Sequence, residues 1–136
     1  MQSLRQEPRF HAAVAECSFA TFEEVASDRM SQESGIWRPA FWPLVHSGFL
    51  YARVRYGLDL RQASPAAAVR SSNVPILLIH GTRDTNIPLR HSRELHALNP
   101  RAIELWEVPG AGHVAALGTE PVAYVRTVTD WFRSHP

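Results

Sequence analysis

Cysteine occurs once in these 136 residues, as Cys17, so no intramolecular disulfide framework can hold the fold and no Cys/His group has the spacing of a zinc motif. A chain without such staples must fold on an apolar core, and a reducing cytoplasm is its expected compartment. Charge of one sign is also scarce. The 14 basic and 13 acidic residues leave a formal net charge of +1 with no long run of either sign, so nucleic acid is not an expected partner. No apolar stretch approaches the roughly 20 residues that cross a bilayer, and the segment from Met1 to Pro8 lacks the apolar core of a signal peptide. Membrane association is therefore not expected. What remains is ordinary globular material, 45% hydrophobic and 20% charged, enough for one domain spanning residues 1–136.

Its periodicities alternate. Met1 to Glu7 has the pattern of a helix tail stopped by Pro8, and Phe10 to Glu16 reads as a short apolar strand. Thr21 to Met30 follows as a helix, with Thr21 as its cap and Glu23 and Glu24 in the first turn. Between Trp37 and Tyr56 aromatic residues crowd together, and Pro39 and Pro43 are expected to break regular structure. Residues 36–60 thus suggest a lid or pocket-lining insertion, against the plainer alternative that the aromatics only pack. Ser64-Pro65 opens an Ala-rich helical turn, in a region up to Asn73 that also reads as a linker.

Val74 to His80 is apolar on both faces, as a central parallel strand is, and Leu89 to Leu98 is an amphipathic helix ended by Asn99-Pro100. Ile103 to Val108 alternates apolar and polar, as a strand near a sheet edge should. Thr119 to Ser134 reads as the final helix, with Thr119 as cap and Val122, Val125, Val128 and Phe132 on its inward face. Strands alternating with helices imply an α/β fold of about three parallel strands joined by right-handed crossovers.

In such sheets functional residues gather just beyond the carboxyl ends of the strands. Two segments deliver residues of catalytic type there. Pro75-Ile-Leu-Leu-Ile-His-Gly-Thr-Arg-Asp84 runs from a strand through Gly81 to a carboxylate, and Val108-Pro-Gly-Ala-Gly-His113 runs from the next strand through Gly110 and Gly112 to an imidazole. Adjacent strands lie about 4.8 Å apart, so the two groups can come within hydrogen-bond reach. A buried carboxylate then fixes the imidazole tautomer and stabilises its transient charge, with Asp84 as the orienting acid and His113 as the general base. The competing reading makes Asp84 a turn residue and His113 a surface loop histidine.

The string His80-Gly-Thr-Arg-Asp84-Thr-Asn-Ile-Pro88, continuing to Ser92 and Leu95, resembles the acid-bearing strand and following helix of the α/β-hydrolase superfamily. Pro109-Gly-Ala-Gly-His113 resembles its histidine loop, and the nearest likeness is to the prolyl oligopeptidase-like and serine aminopeptidase-type serine hydrolases. The resemblance implies the C-terminal portion of an α/β-hydrolase fold, with catalytic residues Asp84 and His113, no metal and no organic cofactor. It implies a small-molecule ester or peptide substrate, attacked through an acyl-enzyme.

No Gly-x-Ser-x-Gly elbow occurs in the chain. The expectation is that the nucleophile lies upstream of Met1, that the oxyanion hole is absent with it, and that the chain alone is close to inactive. Cys17 and Ser18 follow the first strand but have no elbow, so a buried structural thiol is the expected role of Cys17. Ser92 is expected to be too remote and Ser47 to lack a flanking strand. His80 is expected to be a packed strand-end histidine, and Glu16 either a contact to substrate or to a lid residue, or a capping or turn residue. The first strand should have one edge unpaired, inviting self-association. The reading from another class is a small non-catalytic α/β binding or scaffold domain.

Overall fold

In the computed structural model, which describes residues 9–35 and 37–136, three strands form one parallel sheet in sequential order. They are β1 (Ala13–Glu16), β2 (Ile76–Gly81) and β3 (Ile103–Val108). Ala13 is level with Ile76, and Ile76 with Ile103, so β2 and β3 finish together at Gly81 and Val108 while β1 stops two residues earlier at Glu16. The helix tail expected over Met1–Glu7 lies outside the described residues.

Side chains alternate across the sheet, and each face has its own core. Ile76, Leu78 and Ile103 pack with Val69 and Leu95, which belong to helices α3 (Pro65–Arg70) and α4 (Arg90–Leu98). Leu77, Ile79 and Val108 pack on the opposite face with Ala116 of α5 (Ala116–Thr119) and Trp131 of α6 (Pro121–Ser134). Every residue of β2 is buried, which is why that segment shows no polar face in the sequence. Each fully buried Leu or Ile here contributes about 1.5–3 kcal/mol.

Helix α1 (Phe22–Ser34) starts where expected: the Thr21 hydroxyl accepts from the Glu24 amide at 3.2 Å. Four local expectations fail. Trp37 to Tyr56 is regular, a short 3₁₀ turn (Arg38–Phe41) leading into the 15-residue helix α2 (Trp42–Tyr56). Pro43 stands in its first turn, where the missing N–H would have no intrahelical partner anyway, so the proline initiates the helix. The supposed linker is part of the core, since α3 buries Ala66, Ala68 and Val69 behind a Ser64 cap. Thr119 does not cap α6: its hydroxyl donates back to the Ala115 carbonyl at 2.8 Å. And α6 turns Tyr124, Val128 and Trp131 inward, where they pack in one core with Leu77 and Ile79, and leaves Val122, Val125 and Phe132 exposed.

Candidate active site

Strand β2 leaves the sheet at Gly81 against the loop that follows β3. A Cβ at Gly81 would stand 2.3 Å from the Ala111 carbonyl oxygen, so only glycine permits this approach. The two loops are then tied by the Arg83 amide donating to the Ala111 carbonyl at 2.9 Å and the Gly110 amide donating to the Thr82 hydroxyl at 2.9 Å. Gly110 has φ +76° and needs its freedom. Gly112 does not, since it has no positive φ and a Cβ there meets nothing within 4 Å.

Asp84 follows in a tight turn. One carboxylate oxygen accepts from the amides of Asn86 (2.8 Å) and Ile87 (2.9 Å), and the other faces His113, whose Nδ1 lies 2.9 Å away. Burial pushes the carboxyl up, but the Ile87 amide, His113 and the Cys17 thiol together outweigh it and hold Asp84 below the usual carboxylate range. A carboxylate only accepts, so His113 Nδ1 carries the proton, and in the neutral ring Nε2 keeps its lone pair. His113 lines an open cavity of about 610 Å³, with Glu16, Ser18, Phe19 and Ile87 among the other walls.

His80 stands behind the acid. Fully buried, it donates from Nε2 to the Ile87 carbonyl (2.8 Å), and its Nδ1 lies 2.7 Å from the Ser92 hydroxyl. Both ring nitrogens are thus occupied in fixing the acid loop between β2 and α4. Ser92 is buried in this contact, and the Ser47 hydroxyl bonds to the Pro43 carbonyl within α2.

The end of β1 holds the histidine loop. The Val114 amide donates to Cys17 Sγ at 3.3 Å, and the Ala116 amide donates to Glu16 Oε1 at 3.1 Å. Tyr124 O–H reaches the second oxygen of Glu16 at 3.4 Å. Val114 has φ +51°, a strained conformation for a β-branched residue that costs on the order of 1–3 kcal/mol. The residue next to His113 is therefore kept in place by its neighbours. Burial pushes the Cys17 thiol up to about 11, with the Asp84 carboxylate adding to the rise and the Val114 amide opposing it. At neutral pH only about one molecule in 10⁴ is thiolate, which suits a packed thiol and not a nucleophile.

Sequence reasoning singled out Asp84 and His113, and the structure brings them together. It did not find the clamp of Glu16 and Cys17 on the histidine loop, for which the only sequence signal is two polar groups at a strand end.

The prolyl oligopeptidase family matches residues 1–135 of the chain. The Bacillus subtilis (strain 168) protein YqkD is 28% identical over 113 residues, which is 83% of this chain and 34% of that protein. The esterase LipC of Mycobacterium tuberculosis is 40% identical over 57 residues, 39% of this chain and 14% of LipC. Among solved structures, the Pyrococcus furiosus esterase Pf2001 superimposes with a TM-score of 0.67 at 18% identity, covering 98% of this chain and 48% of that one. The chain thus spans about a third of YqkD and about half of the Pyrococcus esterase.

Proposed function

Because the chain belongs to the prolyl oligopeptidase family, and has the three-stranded parallel part of an α/β-hydrolase fold, we propose that Asp84 and His113 are the acid and base of a serine hydrolase triad. The observation that carries this reading is the 2.9 Å contact between His113 Nδ1 and a buried carboxylate, at the ends of adjacent parallel strands and on the wall of a cavity. His113 Nε2 takes the proton of the attacking hydroxyl and returns it to the leaving group, while Asp84 holds the ring and stabilises the imidazolium. The hydroxyl itself is assigned to polypeptide outside these 136 residues, because no Gly-x-Ser-x-Gly occurs within them. The substrate is an ester or peptide bond of a small molecule. Residues 36–60 are assigned as the candidate lid or pocket-lining segment; its helix α2 leaves Leu50, Tyr51 and Val54 exposed and contributes none of the described residues that wall the cavity of about 610 Å³.

The test is ester and peptide hydrolysis by the chain alone and by the chain joined to an upstream segment carrying an elbow serine. The chain alone should show essentially no turnover, since losing the triad serine typically costs about 10⁶ in rate. In the joined protein Asp84→Asn should lower kcat by about 10⁴, the cost of the wrong imidazole tautomer. Strong hydrolysis by the chain alone, abolished by His113→Ala, would show a nucleophile within it. Undiminished turnover in a joined His113→Ala protein would end the reading.

A further inference from the structure

The acid and base have a third neighbour capable of ligation. Cys17 Sγ, a carboxylate oxygen of Asp84 and a ring nitrogen of His113 all lie within 4.8 Å of one another. They come from positions 17, 84 and 113, so no sequence spacing announces them. We propose that these three side chains form a binding site for a thiophilic divalent cation of zinc type, which occupies the acid–base pair and blocks it.

The donor set is of the kind zinc takes, one thiolate, one imidazole nitrogen and one carboxylate oxygen, and Cys17 and His113 line the cavity from which a water would supply the fourth ligand. Tetrahedral zinc bonds put such ligands about 3.3–3.6 Å apart. The 2.9 Å between His113 Nδ1 and Asp84 Oδ2 therefore has to open slightly, while Cys17 Sγ already lies within 4.8 Å of both. The atoms behind the ligands are already arranged to support them. Asn86 and Ile87 amides hold the other oxygen of Asp84, and the Val114 amide donates to Cys17 Sγ, a bond that strengthens when the sulfur becomes anionic.

The proton balance is simple. Metal–sulfur, metal–oxygen and metal–nitrogen bonds form, the S–H proton leaves to solvent, and the Nδ1 proton is replaced by one on Nε2. One proton is released per metal bound, and nothing is oxidised or reduced. With its proton on Nε2, His113 can no longer accept from a nucleophile. That consequence for turnover rests on the base role proposed for His113; the binding does not.

A second group, Glu24, His91 and Glu94, also converges within 4.8 Å, but both His91 ring nitrogens are occupied. Nε2 lies 2.8 Å from Asp28, and Nδ1 accepts from the Ala20 amide at 3.3 Å. This group serves as the control site.

The experiment titrates the reduced, metal-free 136-residue chain with cobalt(II), then displaces it with zinc. Because the chain has one cysteine, a thiolate-to-cobalt charge-transfer band reports on Cys17 alone. The expected result is one cobalt per chain with that band, lost on adding zinc, and one proton released. Cys17→Ser should abolish the band and weaken zinc binding by about 100-fold or more, and His113→Ala should weaken it comparably. Glu24→Gln should leave it unchanged. Absence of the band at saturating cobalt overturns the proposal without any variant. So does zinc affinity in a folded Cys17→Ser chain within about threefold of the parent, too small a change for a lost ligand. If zinc binds as expected but the joined protein hydrolyses esters undiminished, the metal site stands and the base role of His113 falls.

Discussion

Gly81→Ala is the substitution that most directly tests how the two loops share one space. The added methyl would lie 2.3 Å from the Ala111 carbonyl oxygen, 2.6 Å from its carbon and 2.6 Å from the Gly112 carbonyl oxygen. All three atoms are backbone, so no side chain can rotate away, and the histidine loop must retreat by at least about 0.7 Å before the contact is tolerable. Retreat weakens the Arg83 amide bond to the Ala111 carbonyl and the Gly110 amide bond to Thr82, each contributing about 1 kcal/mol. Overpacking adds about 1–3 kcal/mol. With both bonds lost the sum is about 3–5 kcal/mol, which lowers the melting temperature by about 10–15 °C for a domain of this size. Retreat also carries His113 away from Asp84, so the Nδ1–H resonance of His113 should broaden or move toward that of a solvent-exposed ring. Gly112→Ala is the internal control, since its methyl meets nothing, and it should cost less than about 1 kcal/mol. A Gly81→Ala chain that melts with the parent and keeps the His113 resonance would refute the account of this junction.

Stability should fall in acid in two stages. Burial, reinforced by Arg90, keeps His91 neutral against the pull of Asp28 and Glu24, so the unfolded chain binds the extra proton and stability drops as pH falls below His91's ordinary value of 6.5. Asp84 has the opposite charge type but the same sign of effect: its lowered value means a further loss below 3.8, as the unfolded carboxyl takes a proton that the folded one resists. Urea midpoints measured in pH steps check this, and His91→Gln should flatten the first stage only. Glu16→Ala removes the acceptor of the Ala116 amide and Tyr124 hydroxyl, and should destabilise by about 1–3 kcal/mol while increasing amide exchange at Val114 and Ala116. Unchanged exchange there would mean that Glu16 does not hold the loop. β1 pairs only with β2 among the described residues, and sedimentation should show self-association that weakens when an added charge such as Val14→Lys is placed in β1. A monomeric parent would contradict this.

Strand and helix order was legible in the sequence because it depends on local patterns. The unbroken apolar run from Ile76 to Ile79 specifies a strand covered on both faces, Thr21 and Ser64 announce their helices, and the Asp84 and His113 loops each follow a strand. These are properties of a few consecutive residues. What depends on contacts between distant segments was not legible. The outward face of α6 was misassigned because Val122, Val125 and Phe132 are as apolar as the residues that pack, and only the seat of Trp131 against the sheet decides between them. Pro43 could break a helix or begin one, and the fold chose the second. That Cys17 would be a buried thiol was legible in the sequence, but the groups it touches were decided by tertiary structure. Its sulfur lies between an amide 97 positions away in the chain and the carboxylate of Asp84, a juxtaposition created only when β1 takes its place beside β2.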